Sequence, residues 1–334
     1  MMTKERSEPF ASIVIPTKNE SRFIATCLDS LQSLDYPKDR LEIIIVDGFS
    51  TDNTREIAER RRVRVALNPK QTEPAGRNLG FAISKGDLVA FTDADCIIDR
   101  NWLKNSLKYF ADERVAGLGG INLTPETDGA FGKAVGFVFS QAIFSPGTYY
   151  ARILKEVKKV PHLPWCNAIY RRAILEKVMP IDDSLLFCAD VDLNRRINAM
   201  GYDLLYTPDA FVWHHRRSSP KSLWTQMHKF AIARVQVSRK HHDMLHPAHV
   251  MVGLAIPLLA VIGIGLSLLA PKLLLLSTGA ALLGLLFFSA LAFLEERSIR
   301  VALFVPAIIL TILLAWSSGF LRELVFPLKD VTGR

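Results

Sequence analysis

A chain of 334 residues, 49% of them hydrophobic and with a formal net charge of +8, has room for one large domain or two smaller ones. Its positive charge crowds residues 216–240, directly ahead of long apolar runs, which points to anionic lipid headgroups and away from nucleic acid. Cys27, Cys96, Cys166 and Cys188 lie far apart with no C-x-x-C pair, so they are read as reduced thiols of a cytosolic protein and not as a disulfide or zinc framework.

The polar N-terminus has no apolar core, so no signal peptide is expected. Residues 11–16 are predicted as a strand that ends in the loop Pro16-Thr17-Lys18-Asn19-Glu20. Phe23, Ile24, Cys27, Leu28, Leu31 and Leu34 recur at helical spacing, and Tyr36-Pro37 stops that helix. A second strand, 41–46, opens into a turn and helix-cap signal from Asp47 to Thr54, and the next helix runs to Arg62. A third strand covers 63–67, and a helix starting at Pro74 ends at Gly86. The apolar run from Leu88 to Phe91 is too short for a helix and reads as a central strand leading into Asp93 and Asp95. This alternation predicts an α/β domain with a parallel sheet covered on both faces. Ligands of such sheets bind at the carboxyl ends of the strands. Residues i and i+2 of an extended segment point the same way. Asp93 and Asp95 are therefore expected to share one hard cation, Mg²⁺ or Mn²⁺, with substrate phosphates.

The middle of the chain is less regular. Residues 115–123 are expected as a strand, and 131–144 as a helix or flap broken by Pro146-Gly147. The stretch from Asp190 has helical character and ends at Gly201; two short strands, 203–206 and 210–213, follow. Three apolar runs close the chain, about 250–270, 273–293 and 301–321, the last weak beyond Trp316. A membrane-spanning helix takes about 20 apolar residues, and Pro271-Lys272 makes the first two runs a tight hairpin. The Lys/Arg load of 216–240 puts the N-terminal domain in the cytoplasm by the positive-inside rule, with Arg334 on the far side of three full spans. Residues 216–249 are expected to lie along the membrane surface with Trp224, Met227 and Phe230 toward lipid. His241, His242, His246 and His249 are read as interfacial residues and not as metal ligands.

Four blocks at the strand ends carry a resemblance: Pro16-Thr17-Lys18-Asn19-Glu20, Val46-Asp47-Gly48-Phe49-Ser50-Thr51-Asp52-Asn53-Thr54, Ala75-Gly76-Arg77-Asn78-Leu79-Gly80 and Asp93-Ala94-Asp95. In this order they resemble the family 2 glycosyltransferases of GT-A fold, over residues 10–245. The Cys166-Asn167 segment, the Asp190/Asp192 helix start, His214-His215 and the Gln226 to Arg234 stretch are similar to the membrane-bound, succinoglycan-type exopolysaccharide subgroup. The resemblance implies a GT-A domain with a Rossmann-like, mostly parallel sheet over 1–215, an interface segment over 216–249 and a membrane region over 250–334. It implies an inverting, metal-dependent enzyme of the cell (inner) membrane. That enzyme would move a sugar from a nucleotide-diphospho-sugar to a lipid-linked or growing saccharide on the cytoplasmic side. Pro16, Thr17, Glu20, Asp47, Arg77 and Asp93 would then meet the nucleotide-sugar, and Asp95 with Asp93 would hold the divalent cation that neutralises the leaving diphosphate. The family places its general base in an E-D pair at a helix start. Here the pair reads Ala189-Asp190, which leaves Asp190 as the base and Asp192 as its alternative. His214, His215, Arg216, Trp224 and Gln226 are candidate contacts to diphosphate or acceptor. Two other readings stay open. One is a polyprenyl-phosphate sugar synthase, whose lipid-phosphate acceptor needs no such base and suits the basic cluster 214–217. The other is a non-catalytic membrane scaffold that has kept the nucleotide fold, against which the intact Asp93 and Asp95 count.

Overall fold

The computed structural model describes residues 8–144, 151 and 153–327; Pro146-Gly147 and Arg334, invoked above, lie outside the described residues. The chain forms two compact units, residues 1–123 with 149–214 and residues 124–148 with 215–334.

In the first unit, β1 (Ala11–Thr17), β2 (Leu41–Asp47), β3 (Arg64–Leu67) and β4 (Leu88–Phe91) pair in the order β3-β2-β1-β4, all parallel. The helices α1 (Ile24–Gln32), α2 (Thr54–Arg60) and α3 (Glu73–Ile83) connect them. A parallel strand covered on both faces is apolar along its length, and Ala11, Ile13, Val14, Ile15 and all of Leu88–Phe91 are buried. Ser12 is tolerated in that run because its Oγ donates to Glu42 (2.6 Å) and accepts from the Gly86 amide (2.7 Å). Gly80 lets α3 lie close on the sheet: a β-carbon there would stand 2.2 Å from Val14 Cγ1.

Beyond β4 the sheet is mixed. After β5 (Cys96–Ile98), α4 (Trp102–Ser106) and β6 (Val115–Leu123), the helix α5 (Ala130–Ser140) belongs to the second unit. The first unit resumes with β7 (Lys158–Lys159), β8 (Ala168–Arg171), α6 (Arg172–Val178), α7 (Ala189–Ala199) and β9 (Asp203–His214). The order continues β4-β8-β6-β9-β5, with β7 on β9. Here only β6 and β9 are parallel, so the parallel pattern read from the sequence describes the N-terminal half alone. The two short strands expected at 203–206 and 210–213 are one strand. Its register passes from Gly120↔Thr207 to Asn122↔Val212, so the residues around Pro208, which has no N–H to donate, loop out.

The second unit holds α5, α8 (Pro220–Lys240), α9 (Pro247–Gly253), α10 (Ala255–Leu269), α11 (Pro271–Glu296) and α12 (Ile299–Val325). Helices α11 and α12 are long and apolar enough to cross a membrane. The first apolar run differs from the expectation: α9 and α10 meet at a 58° bend. Ser317 of α12 serves that break, donating to the Gly253 carbonyl (2.8 Å) and accepting from the Ile256 amide (3.3 Å). Backbone groups freed in a helix break need such partners where water is scarce. The third run, weak by sequence, is instead one 27-residue helix. It continues through Arg322 and Glu323 because the fully buried Glu323 carboxylate pairs with Arg239 of α8 (2.6 Å). Gly319 permits that approach, since a β-carbon there would lie 2.2 Å from the His228 carbonyl oxygen. Met227 and Phe230 do not face lipid as expected: they pack with Phe131, Val135, Val305 and Ile308 in the core of this unit, and only Trp224 of the three is exposed.

Candidate active site

The loops after β1 and β2 are tied together by the residues of the first two sequence blocks. Thr17 and Asp47 are cross-strand partners at the carboxyl ends of β1 and β2, and the Gly48 amide donates to the Thr17 carbonyl (2.8 Å). Asp47 is fully buried and accepts from the Ser50 amide (3.1 Å) and hydroxyl (2.5 Å). The Glu20 amide donates to Thr54 Oγ1 (2.7 Å), and Asn19 Oδ1 accepts from the Thr51 amide (2.8 Å). Asp52 accepts from the Ser21 amide (3.1 Å) and from both the amide and the hydroxyl of Thr54. Burial works against its charge, but these hydrogen bonds from Thr54 and Ser21 prevail and hold its pKa at about 2. Asn19 and Phe49 take left-handed backbone conformations at φ 59° and 60°, so both loops turn sharply at the strand ends. The Thr17 hydroxyl is buried there with no hydrogen-bond partner among the described residues; Pro16 and Glu20, beside it in the loop, are half-buried.

The D-x-D segment is a turn and not an extended strand: the Cys96 amide donates to the Asp93 carbonyl (3.1 Å). The two carboxylates therefore do not share one face of an extended strand as the sequence predicts, and they have different partners. Asp93 accepts from Arg77 (2.6 Å), and Asp95 lies 3.2 Å from His214 Nε2. Arg77 is fully buried, bridges Glu73 and Asp93, and is covered by the Trp165 ring 4.8 Å away. Its place beneath Asp93 makes it a support for the carboxylate. Among the described residues, Asp95, Cys96 and His214 form a group whose ligand atoms all lie within 4.8 Å of one another. Burial pushes the Cys27 and Cys96 thiols well up.

The helix carrying the candidate bases starts after Cys188, whose φ of 58° turns the chain into α7. Asn78 of α3 pins the preceding loop, exchanging two hydrogen bonds with Ile181 (2.8 and 2.7 Å). Asp190 is half-buried and accepts from the Val191 amide (2.9 Å), and its charge acts on Glu73 and on the Tyr170 hydroxyl. Asp192 is fully buried and pairs with Arg196 (2.9 Å), which also donates to the Pro180 carbonyl. Its carboxylate is committed to the fold.

The remaining candidates belong to the second unit, where they are held by that unit's own residues. His215 Nδ1 meets Asp128 (2.5 Å), and Arg216, nearly buried, donates its amide to Asp128 (2.9 Å) and its Nε to Thr124 (3.2 Å). Trp224 is exposed and Gln226 half-exposed on α8. Sequence reasoning did not single out Glu73, Trp165 or Cys96, and it did not join His214 to Asp95. The Glu73-Arg77 i,i+4 spacing was a usable signal; the other three depend on strand pairing.

Residues 12–179 match the family model described as Glycosyl transferase family 2. The chain belongs to that family. It is 28% identical over 216 residues to the glycosyltransferase AglE of Haloferax volcanii, spanning 63% of this chain and 68% of the relative. It is 24% identical over 244 residues to a dolichyl N-acetyl-α-D-glucosaminyl phosphate 3-β-D-2,3-diacetamido-2,3-dideoxy-β-D-glucuronosyltransferase of Methanococcus voltae, spanning 69% and 74%. The solved mannosyltransferase PcManGT of Pyrobaculum calidifontis, in complex with GDP-Man and Mn²⁺, superposes with a TM-score of 0.64 over 90% of this chain and 86% of that one, at 20% identity. The fold of this family 2 glycosyltransferase is GT-A.

Proposed function

We propose that this glycosyltransferase is an inverting, metal-dependent enzyme that moves a sugar from a nucleotide-diphospho-sugar to a lipid-linked or growing saccharide at the cytoplasmic face of a membrane. The observation that carries this reading is the division of the D-x-D turn, with Asp93 locked by buried Arg77 and Asp95 set 3.2 Å from His214. A carboxylate beside an imidazole fits Mn²⁺ or Mg²⁺, with coordination positions left for diphosphate oxygens and water. Asp95 and His214 would hold that ion, and Asp93 would bound the donor site. When bound, the ion neutralises the departing nucleoside diphosphate as a Lewis acid.

The chain's own residues do the rest. Thr17 and Asp47, adjacent at the strand ends, receive the nucleoside, with the unpartnered Thr17 hydroxyl available to it; Pro16 and Glu20 shape the loop beside them. Asp190 takes the acceptor hydroxyl's proton while that oxygen bonds to the anomeric carbon and the carbon–diphosphate bond breaks on the opposite side, inverting the configuration. Asp190 stands half-buried on the first turn of α7, where negative charge is favoured by the helix N-terminus. The long apolar helices α11 and α12 anchor the protein, and the lipid-phosphate substrate named for the Methanococcus voltae relative supports a lipid-linked acceptor.

The test is a screen of detergent-purified protein against UDP-, GDP- and dTDP-sugars, each with a lipid-linked saccharide or a bare polyprenyl phosphate, reading nucleoside diphosphate release. Release that requires the saccharide is the expected result. Equal release with polyprenyl phosphate alone would transfer the assignment to a polyprenyl-phosphate sugar synthase.

A further inference from the structure

The proposed metal site contains one donor that a hard-ion site does not use. Cys96 and His214 are cross-strand partners in the β5–β9 ladder, so their side chains stand on one face of the sheet. Asp95 precedes Cys96, and its carboxylate is 3.2 Å from His214 Nε2. The Asp95 oxygen, Cys96 sulfur and His214 nitrogen all lie within 4.8 Å of one another. A tetrahedral ion with bonds of about 2.0–2.3 Å sets its ligand atoms roughly 3.5 Å apart, so a side-chain closure of about 1 Å brings the three onto one ion. Cys96 is 1% exposed and Asp95 and His214 are nearly buried, so few competing waters reach such an ion.

We infer that Cys96 is a third, thiolate ligand recruited only by thiophilic divalent ions, so that Zn²⁺ binds this site with a carboxylate–thiolate–imidazole donor set that Mg²⁺ and Mn²⁺ do not engage. Thiolate and imidazole suit Zn²⁺ and Co²⁺, whereas carboxylate and water suit Mg²⁺ and Mn²⁺. Binding of the thiophilic ion releases the Cys96 proton to solvent, as thiolate ligation requires. Zn²⁺ then occupies the position the activating ion needs and leaves fewer coordination sites for the diphosphate. This rests on the assignment of Asp95 and His214 as metal ligands. Cys27 and Cys166, which are also buried nearby, are not part of the group, and the Cys96 thiol gives up its contact with the Cys166 carbonyl (3.7 Å) when it ligates.

The experiment is a Co²⁺ titration of the full-length protein in detergent, reading sulfur-to-cobalt charge-transfer absorbance in the near ultraviolet alongside bound Co²⁺ by equilibrium dialysis. Wild type is expected to show a saturable band, which Cys27→Ser and Cys166→Ser keep and Cys96→Ser and Asp95→Asn lose. Cys96→Ser should also weaken Zn²⁺ binding by at least about the tenfold that loss of an outer-shell partner costs, and weaken Mn²⁺ binding less. Co²⁺ bound to wild type in an Asp95-dependent manner without the band overturns the inference and leaves the Asp95–His214 site standing. No Asp95-dependent Co²⁺ binding at all overturns both. Equal loss of Zn²⁺ and Mn²⁺ affinity in Cys96→Ser reduces Cys96 to a packing residue and also refutes the proposal.

Discussion

The two acidic residues at the start of α7 should separate cleanly on mutation, because Asp192 is fully buried in an ion pair and Asp190 is half-buried. Asp192 is fully buried against Arg196, whose side chain is 27% exposed. Stripping one partner from a buried pair costs about 3–5 kcal/mol. Arg196 keeps carbonyl partners at Val178 and Pro180 and is partly screened by solvent, so about 2 kcal/mol is the expected loss for Asp192→Asn. For a unit of this size that lowers the apparent Tm by roughly 4–8 °C. Asp190→Asn forfeits only a first-turn helix-dipole contribution of about 0.3–1 kcal/mol, yet removes the proposed base and should lower kcat by about 10²–10⁴-fold. Nucleoside diphosphate release would be assayed well below the Tm of both variants, with melting followed in the same detergent. The expected pattern is a cold-stable, inactive Asp190→Asn and a heat-sensitive, active Asp192→Asn. A catalytically dead Asp192→Asn with an unshifted Tm would move the base to Asp192.

Asp52 supplies a pH test. Its folded pKa of about 2 lies below the ordinary carboxylate value of about 3.9. The stability it adds is therefore complete above the unfolded value and is lost as pH falls toward 2. The Tm gap between wild type and Asp52→Asn should narrow over that window, and a gap independent of pH would contradict it. In the second unit, Gly319→Ala drives a methyl against the His228 carbonyl and should cost about 1–3 kcal/mol by overpacking; an unchanged Tm would mean that α8 and α12 are not packed this closely. Arg239→Ala takes a partner from buried Glu323 and should cost about 2–3 kcal/mol, less than for a pair with both members buried because Arg239 is 43% exposed. Arg239→Lys should recover part of it, and equal loss in both variants would make the contribution one of packing alone.

The parallel half of the sheet was legible because each of its strands is a short apolar run with its own loop chemistry, as in Ala11–Thr17 and Leu88–Phe91. The four motif blocks were legible for the same local reason. The structure explains their composition: Ser50, Asp52 and Thr54 knit two loops, Asn78 holds the approach to α7, and Gly80 lets α3 reach β1. What the sequence hid was long-range. The pairing of Cys96 with His214 joins residues far apart in the chain, so the partner of Asp95 could not be read from spacing. Hydropathy ended the last apolar run too early because it scores Glu323 as exposed charge, whereas Arg239 on a distant helix neutralises it. It also passed over the break between α9 and α10, which depends on Ser317. Met227 and Phe230 were assigned to lipid because an amphipathic face does not say whether membrane or protein covers it; here α5 and α12 do.

The proposed function requires metal-dependent transfer from a nucleotide-sugar at the divided D-x-D turn. It is tested most directly by stripping the purified protein with EDTA and restoring Mn²⁺ in steps while nucleoside diphosphate release is followed in wild type, Asp95→Asn and His214→Gln. Turnover should vanish on stripping, return saturably with Mn²⁺ in wild type, and stay absent or need far more Mn²⁺ in the two variants. Full turnover by the stripped wild type, or a Mn²⁺ response in Asp95→Asn equal to that of wild type, would contradict the claim.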